Sequence, residues 1–143
     1  MGGWYAASGL YRPEELEGLS VQRFCAAVAA EGAPCTPGCN RALHLHTLFN
    51  TVDVYGQGKP TRLANLPEGV DIRQPPASLP VAEGIQARVL SIPWFKHYRP
   101  EVIQEYAAAY RKVAENYEDL LAGDAATPVD AGSWGLTARR RDR

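Results

Sequence analysis

Cysteine is scarce in this chain, and its scarcity limits the kind of protein the chain can be. Only Cys25, Cys35 and Cys39 occur among the 143 residues. An odd and small number of cysteines does not build the disulfide framework of a small secreted domain. We therefore expect reduced thiols in a reducing compartment, with Cys25 and Cys35 serving as small buried apolar side chains.

Net charge and long apolar runs are also lacking. The formal net charge is −1 and the sequence pI is near 6.3, so electrostatics give no reason to expect nucleic acid or an anionic membrane as a partner. No apolar run approaches the roughly 20 residues of a membrane span, and the N-terminal residues lack the basic flank and apolar core of a secretion signal. These absences favour a cytoplasmic protein. With 45% hydrophobic content, a chain of this length is expected to form one domain.

The first part of the chain predicts a strand followed by a well-marked helix. Aromatic and small residues over 4–11 favour a short strand. Ser20 fits the N-cap of the helix, Leu19 before it can pack on Phe24 as a hydrophobic staple, and Gly32 supplies a left-handed stop. The helix is therefore expected to lie between Ser20 and Gly32.

The middle of the chain is less regular. Residues 42–50 predict a helical turn, and residues 51–76, which are rich in Gly, Pro and Arg, predict a long loop. Loops of this length are uncommon inside a compact domain and tend to be either functional or disordered. This loop is therefore a candidate cover for a site.

The last part of the chain has the clearest pattern. We expect a helix over 79–88, a strand over 89–92, and an amphipathic helix that begins at Pro100 and ends at Gly123. The apolar face of the last helix consists of residues three and four steps apart: Val102, Ile103, Tyr106, Tyr110, Val113, Tyr117, Leu120 and Leu121.

These elements together predict a mixed helix-and-sheet fold. We expect a small α/β layer over residues 1–122, in which a short sheet carries helices on one face. Residues 123–143 have no periodicity and end in a basic cluster, which predicts a flexible tail.

Four side chains suggest a zinc site at first sight: Cys35, Cys39, His44 and His46. Thiolate and imidazole are natural zinc ligands, and four of them would close a tetrahedral site. Their spacing, Cys-x3-Cys-x4-His-x-His, is not one of the strong zinc patterns. A small zinc-binding protein is therefore the least favoured of our hypotheses.

The segment GQGKPTR, at 56–62, resembles a phosphate-binding loop because its glycines allow backbone amides to approach an anion. It fails the Walker pattern, since Asp53 stands where a glycine is needed and Pro60 stands where Ser or Thr must follow the lysine. An exposed loop is favoured over an anion contact.

Few titratable side chains suggest catalysis. Asp53, Asp71 and Glu83 are expected to be solvated, as carboxylates in loops and on helices usually are. The lysines are also few, being Lys59, Lys96 and Lys112, and none stands in an evident apolar pocket that would prepare it for Schiff-base chemistry. No catalytic residue is assigned.

Three blocks of sequence nevertheless resemble, in order and spacing, the C-terminal part of the DegT/DnrJ/EryC1/StrS aminotransferases. The blocks are GLSVQRFCAAVAAEGAP, ALHLHTLF, and LPVAEGIQARVLSIPWFKHYRPEVIQEYAAAYRKVAEN. The resemblance extends over about residues 4–121. Proteins of this family are pyridoxal-phosphate enzymes that transfer an amino group to keto-sugars or cyclitols, so the resemblance implies a sugar-biosynthetic role.

The resemblance implies a fold-type-I enzyme, typically a homodimer, of which residues 1–122 are the α+β small domain. The Schiff-base lysine and the groups that hold pyridoxal 5'-phosphate belong to the large N-terminal domain, so this chain alone is not expected to bind the cofactor or to transaminate. His44 occupies the family position that lines the substrate side of the cleft. A nucleotide-sugar or cyclitol is the implied substrate, and the large domain or a second subunit is the implied partner.

Lys96 and His97 are further candidates for substrate binding. They lie in the aromatic and basic run over 94–99 that follows the last strand, where α/β proteins commonly place ligand groups. The alternative is that this run contacts a partner subunit or covers the end of the helix.

Three hypotheses follow from the sequence. The first is a truncated or split sugar aminotransferase, represented here by its C-terminal domain. The second is a stand-alone binding module that kept this fold after losing catalysis, and the third is the small zinc protein. Exposed apolar surface separates the first two, because an orphaned domain should show it where its missing partner packs.

Overall fold

The computed structural model describes residues 7–125. Residues 1–6 and 126–143 lie outside the described part, as does most of the predicted tail. The strands are β1 (Ser8–Leu10), β2 (Thr36–Pro37) and β3 (Val89–Ser91), and the α-helices are α1 (Val21–Ala30), α2 (Thr47–Asn50), α3 (Pro80–Gly84), α4 (Pro100–Glu115) and α5 (Glu118–Leu121). Short 3₁₀ helices occur at Pro13–Leu16, Leu43–Leu45, Thr61–Leu63 and Ile85–Arg88.

The sheet is small and antiparallel. Its order is β1-β3-β2, and both outer strands pair with β3 in antiparallel register, with Gly9 opposite Leu90 and Thr36 opposite Ser91. A Cβ atom at Gly9 would lie 3.2 Å from Leu90 Cδ1, so glycine lets the Leu90 side chain lie against β1. The predicted mixed fold is therefore confirmed as a small α+β arrangement with an antiparallel sheet.

Residues up to Cys39 and residues from Ile85 onward form one compact unit, and Asn40–Gly84 form a second. The core of the first unit contains ten buried residues: Tyr11, Leu19, Val21, Phe24, Cys25, Val28, Ala33, Leu90, Ala109 and Val113. The ring centroids of Tyr11 and Phe24 are 5.2 Å apart, and the Tyr11 hydroxyl donates to the buried carbonyl of Leu19 at 2.8 Å. The core thus lies between α1, β3 and α4.

Helix α1 begins and ends as predicted. The Ser20 hydroxyl oxygen accepts a hydrogen bond from the Arg23 amide, which satisfies one amide of the first turn. Leu19 is fully buried beside the helix start, and Gly32 has a φ of +91°, the left-handed conformation that ends many helices.

The last helix is interrupted where a continuous one was predicted. Helix α4 ends at Glu115, and α5 resumes at Glu118. The Asn116 side-chain amide donates to the Lys112 carbonyl at 2.7 Å, and its backbone amide donates to the same oxygen at 3.1 Å. Asparagine forms local bonds of this kind that compete with a regular helix.

The tyrosines of the last helix have the predicted structural role. Tyr106, Tyr110 and Tyr117 pack against the core, and the Tyr110 hydroxyl donates to the Pro34 carbonyl at 3.0 Å. Ile103 departs from the prediction, since it is 37% exposed. None of the helices between residues 7 and 125 is both long and apolar enough to cross a lipid bilayer.

Candidate functional site

His44 is the buried titratable side chain of the unit formed by Asn40–Gly84. It lies in the 3₁₀ turn Leu43–Leu45 and is 6% exposed. The Asn50 side-chain amide donates to the His44 carbonyl at 2.6 Å and to the His46 carbonyl at 3.1 Å. These bonds fix the backbone that carries the imidazole.

Glu83 holds the His44 ring. His44 Nε2 lies 2.9 Å from Glu83 Oε1, and the backbone amides of Ala77 and Leu79 donate to the same carboxylate at 2.8 and 3.1 Å. These two amides, followed by the bond from His44, lower the pKa of Glu83, although partial burial opposes them. An ionised carboxylate only accepts hydrogen bonds, so Nε2 carries a proton and Nδ1 is the acceptor of the neutral ring.

Sequence reasoning missed Glu83, which we had expected to be a solvated carboxylate. Its side chain is only 19% exposed, because it turns back to the amide of Leu79 at the start of α3. A glutamate in the first turn after Pro80 was the available signal, since such residues often bond to the free amides of a helix start. The partner His44, 39 residues away, had no local signal.

Two cavities flank His44. One, of about 470 Å³, is lined by His44 together with Arg62, Gln74 and apolar side chains including Phe49. The other, of about 510 Å³, has a more polar lining that includes Arg41, Asn50, Arg73 and Gln74. The buried Asn50 Oδ1 accepts no hydrogen bond from the described residues.

The arginines at these cavities are not equivalent. Arg73 is bound to Asp71, with Nη2 2.6 Å from Oδ2, and this hydrogen bond lowers the pKa of Asp71 to about 2. We had expected the Asp71 side chain to be simply solvated. It is half-exposed, and it is paired with Arg73. Within residues 7–125, neither Arg41 nor Arg62 forms an ion pair, so both are suited to an anionic ligand.

Lys96 and His97 lie in the other unit, between β3 and α4, and both are exposed. No hydrogen bond or ion pair joins either side chain to another residue in the described range. Their neighbour Phe95 packs on Tyr106 with ring centroids 5.8 Å apart, so part of this segment covers α4, as the structural alternative predicted. His44 and the Lys96–His97 pair belong to different units, and each is described by itself.

Three of the four residues considered for zinc have other partners, and one of them, His44, is bound to Glu83. Cys35 lies against Cys25, and His46 Nδ1 accepts a hydrogen bond from the Leu48 amide at the start of α2. Over the range 7–125, no group of three or more His, Cys, Asp or Glu side chains is placed to hold a metal ion. The zinc hypothesis finds no site in that range.

Backbone amides of the glycine-rich loop at 56–62 already bind a carboxylate side chain of the same chain. The Asp53 carboxylate accepts hydrogen bonds from the amides of Gln57 at 3.1 Å and Gly58 at 2.7 Å. These amides, that of Gln57 first, lower the pKa of Asp53. The amides that would cradle a phosphate are thus occupied, and Asp53 is not a simply solvated carboxylate.

The described lysines do not form a pyridoxal-phosphate site. Lys112 is bound to Glu31, with Nζ 2.7 Å from Oε2, and Lys96 is exposed. Neither of these, nor Lys59, lines a cavity beside His44. Because the cofactor requires a lysine and a phosphate site in one cavity, the described residues do not fit pyridoxal 5'-phosphate.

Comparison of the chain with protein-family models, with curated proteins and with solved structures found no match. The family resemblance of the sequence therefore stays a prediction, and the geometry of the site is the basis for any functional proposal.

Proposed function

We propose that this chain is the C-terminal small domain of a pyridoxal-phosphate-dependent sugar aminotransferase of the DegT/DnrJ/EryC1/StrS type. In this role it supplies substrate contacts, while a large domain in the same or a second polypeptide supplies the lysine. The observation that carries the proposal is the His44–Glu83 pair, in which the histidine that the resemblance places on the substrate side of the cleft is held by a carboxylate and buried at a cavity.

The chemistry around His44 suits a polyhydroxylated anionic ligand. With Nε2 bound to Glu83, Nδ1 is the nitrogen left to accept a hydrogen bond from a sugar hydroxyl. Arg41 and Arg62 can neutralise a phosphate, so a nucleoside-diphosphate sugar is favoured over an uncharged cyclitol.

Exposed apolar side chains also support a missing partner. In the unit that contains the sheet, Leu10 is 64%, Trp94 58% and Tyr98 84% exposed. A stand-alone module adapted to water would carry polar residues at many such positions. A large domain or a second subunit would cover these side chains.

Co-purification tests the partner. The chain is co-expressed with the polypeptide, encoded beside it or upstream in frame, that carries a candidate Schiff-base lysine. We expect a complex with the visible absorbance of bound cofactor and with aminotransferase activity that neither part has alone. A chain that forms no complex with any such polypeptide, and binds no nucleotide-sugar, would count against the proposal and favour a stand-alone module.

Calorimetric titration with a nucleoside-diphosphate sugar tests the site directly. We expect His44→Ala and Arg62→Gln each to weaken binding about tenfold or more, since each removes a direct polar contact. Arg111→Gln, an exposed change on α4, is the matched control and should bind as the unaltered chain does. His97→Gln measures the second candidate position separately.

A further inference from the structure

Cys25 and Cys35 bring two thiols into contact inside the first unit. Cys25 lies on α1 and is 1% exposed, whereas Cys35 is half-buried just before β2. Their Sγ atoms are 3.0 Å apart and joined by a hydrogen bond. The sequence predicted two independent buried thiols, and the fold makes them a pair.

The backbone holds the pair in place. The left-handed Gly32 turns the chain back after α1, and the buried Ala33 donates its amide to the Val28 carbonyl at 3.2 Å. The Tyr110 hydroxyl then binds the carbonyl of Pro34, the residue before Cys35. These contacts hold the segment that carries Cys35 beside α1, which carries Cys25.

The two sulfur atoms differ in reactivity. When Cys35 ionises, the Cys25 thiol donates to it, and this bond lowers the pKa of Cys35 to about 7, although burial opposes the shift. The same contact and burial raise the pKa of Cys25. Cys35 is thus the accessible nucleophile, and Cys25 is its buried neighbour.

We propose that Cys25 and Cys35 are a redox-active dithiol, which a low-molecular-weight disulfide such as oxidised glutathione converts into an intramolecular disulfide. This inference is independent of the proposed function, because neither cysteine lines a cavity beside His44.

The reaction proceeds in two exchanges. The Cys35 thiolate attacks one sulfur of the small disulfide, breaks its S–S bond, and forms a mixed disulfide while one small thiolate leaves and takes a proton from solvent. Cys25 then loses its proton and attacks the Cys35 sulfur, releasing the second small thiol. Two protein thiols are oxidised, and one small disulfide is reduced to two thiols.

The test uses the Cys39→Ser chain, which retains the pair and removes the third, exposed thiol. After incubation with oxidised glutathione and alkylation, mass spectrometry should show loss of two hydrogen atoms, no alkylated thiol and no glutathione adduct, in a monomer. Two alkylated thiols, or a stable adduct on either cysteine, would overturn the proposal.

Two further variants assign the order of attack. With Cys25→Ser added, glutathione should stay attached to Cys35, because no second thiol displaces it. With Cys35→Ser added instead, Cys25 should remain unmodified. Peptide mapping of the unaltered chain provides a measurement without any substitution: a disulfide that joins Cys39 to either other cysteine would contradict the assignment.

Discussion

At the scale of single residues, Glu83 determines what His44 can do. Its carboxylate binds one ring nitrogen and two backbone amides, and in doing so it fixes the imidazole tautomer. Replacing its charge should therefore affect both stability and ligand binding.

The pH dependence of stability should reveal this carboxylate. The pKa of Glu83 is lower in the folded chain than its ordinary value of 4.5. A lowered folded pKa means that Glu83 contributes stability above the unfolded value and loses it as pH falls through the folded value. The difference in unfolding free energy between the unaltered chain and Glu83→Gln should thus shrink as pH falls below about 4.5.

Denaturant titrations at several pH values measure that difference. Gln104→Ala, an uncharged change at an exposed position on α4, is the control, since it removes no carboxylate. A Glu83→Gln difference that stays constant down to pH 3 would show that the carboxylate has no lowered pKa.

At the scale of elements, α1 depends on Ser20 and on a residue far along the chain. The Ser20 hydroxyl caps the helix and donates to Asp124 at 2.6 Å, and the Ser20 amide donates to the same carboxylate at 2.7 Å. Asp124 thus binds at the helix start, although the sequence had assigned it to the tail.

Ser20→Ala should remove the cap and the hydroxyl bond to Asp124. We expect a loss of about 1–2 kcal/mol in the free energy of unfolding, the usual cost of a lost N-cap. Urea denaturation followed by circular dichroism measures it. Ser91→Ala, on the exposed side of β3, is the control and should change stability by less than about 0.5 kcal/mol; an equal loss in both would refute the capping role.

The Cys25–Cys35 disulfide should also stabilise α1. Closing a loop of about ten residues removes conformational entropy from the unfolded chain, which predicts about 2–3 kcal/mol of added stability. Comparing urea midpoints of oxidised and reduced Cys39→Ser protein measures this. An oxidised form that unfolds at lower urea would show that the bond strains the fold.

Local sequence signals predicted several helix ends. The contacts of the site join residues far apart in the sequence, and the sequence did not predict them. Ser20, Gly32 and Pro100 mark helix ends through their own backbone preferences, so the sequence identified them. The break at Asn116 depends on a competition between two donors for one carbonyl. The His44–Glu83 contact depends on tertiary folding, which no periodicity encodes.

At the scale of the whole molecule, the unit with the sheet should fold without residues 40–84. Its ten core residues all lie outside that segment. The residues that flank this segment lie close together. The Gly38 amide donates to the Val89 carbonyl at 2.7 Å, and the Gln86 side-chain amide donates to the Cys39 carbonyl.

A chain in which a short Gly-Ser linker replaces residues 40–84 tests this expectation. It should give a cooperative thermal transition and retain protection of the α1 and α4 amides from hydrogen exchange. The same linker chain with Val28→Ala is the control. If the transition reports a packed core, this variant should unfold at a lower temperature. A linker chain without a cooperative transition would show that the core needs the second unit.

The sheet order has a consequence for the moment at which this fold forms during synthesis. Strands β1 and β2 both pair with β3, which emerges from the ribosome last of the three. Until Val89–Ser91 has been synthesised, β1 and β2 lack the strand with which they pair. Asp124, which binds Ser20, is synthesised later still. The sheet therefore cannot form until Val89–Ser91 has been synthesised, and pairing between segments so far apart in sequence is slow compared with helix formation.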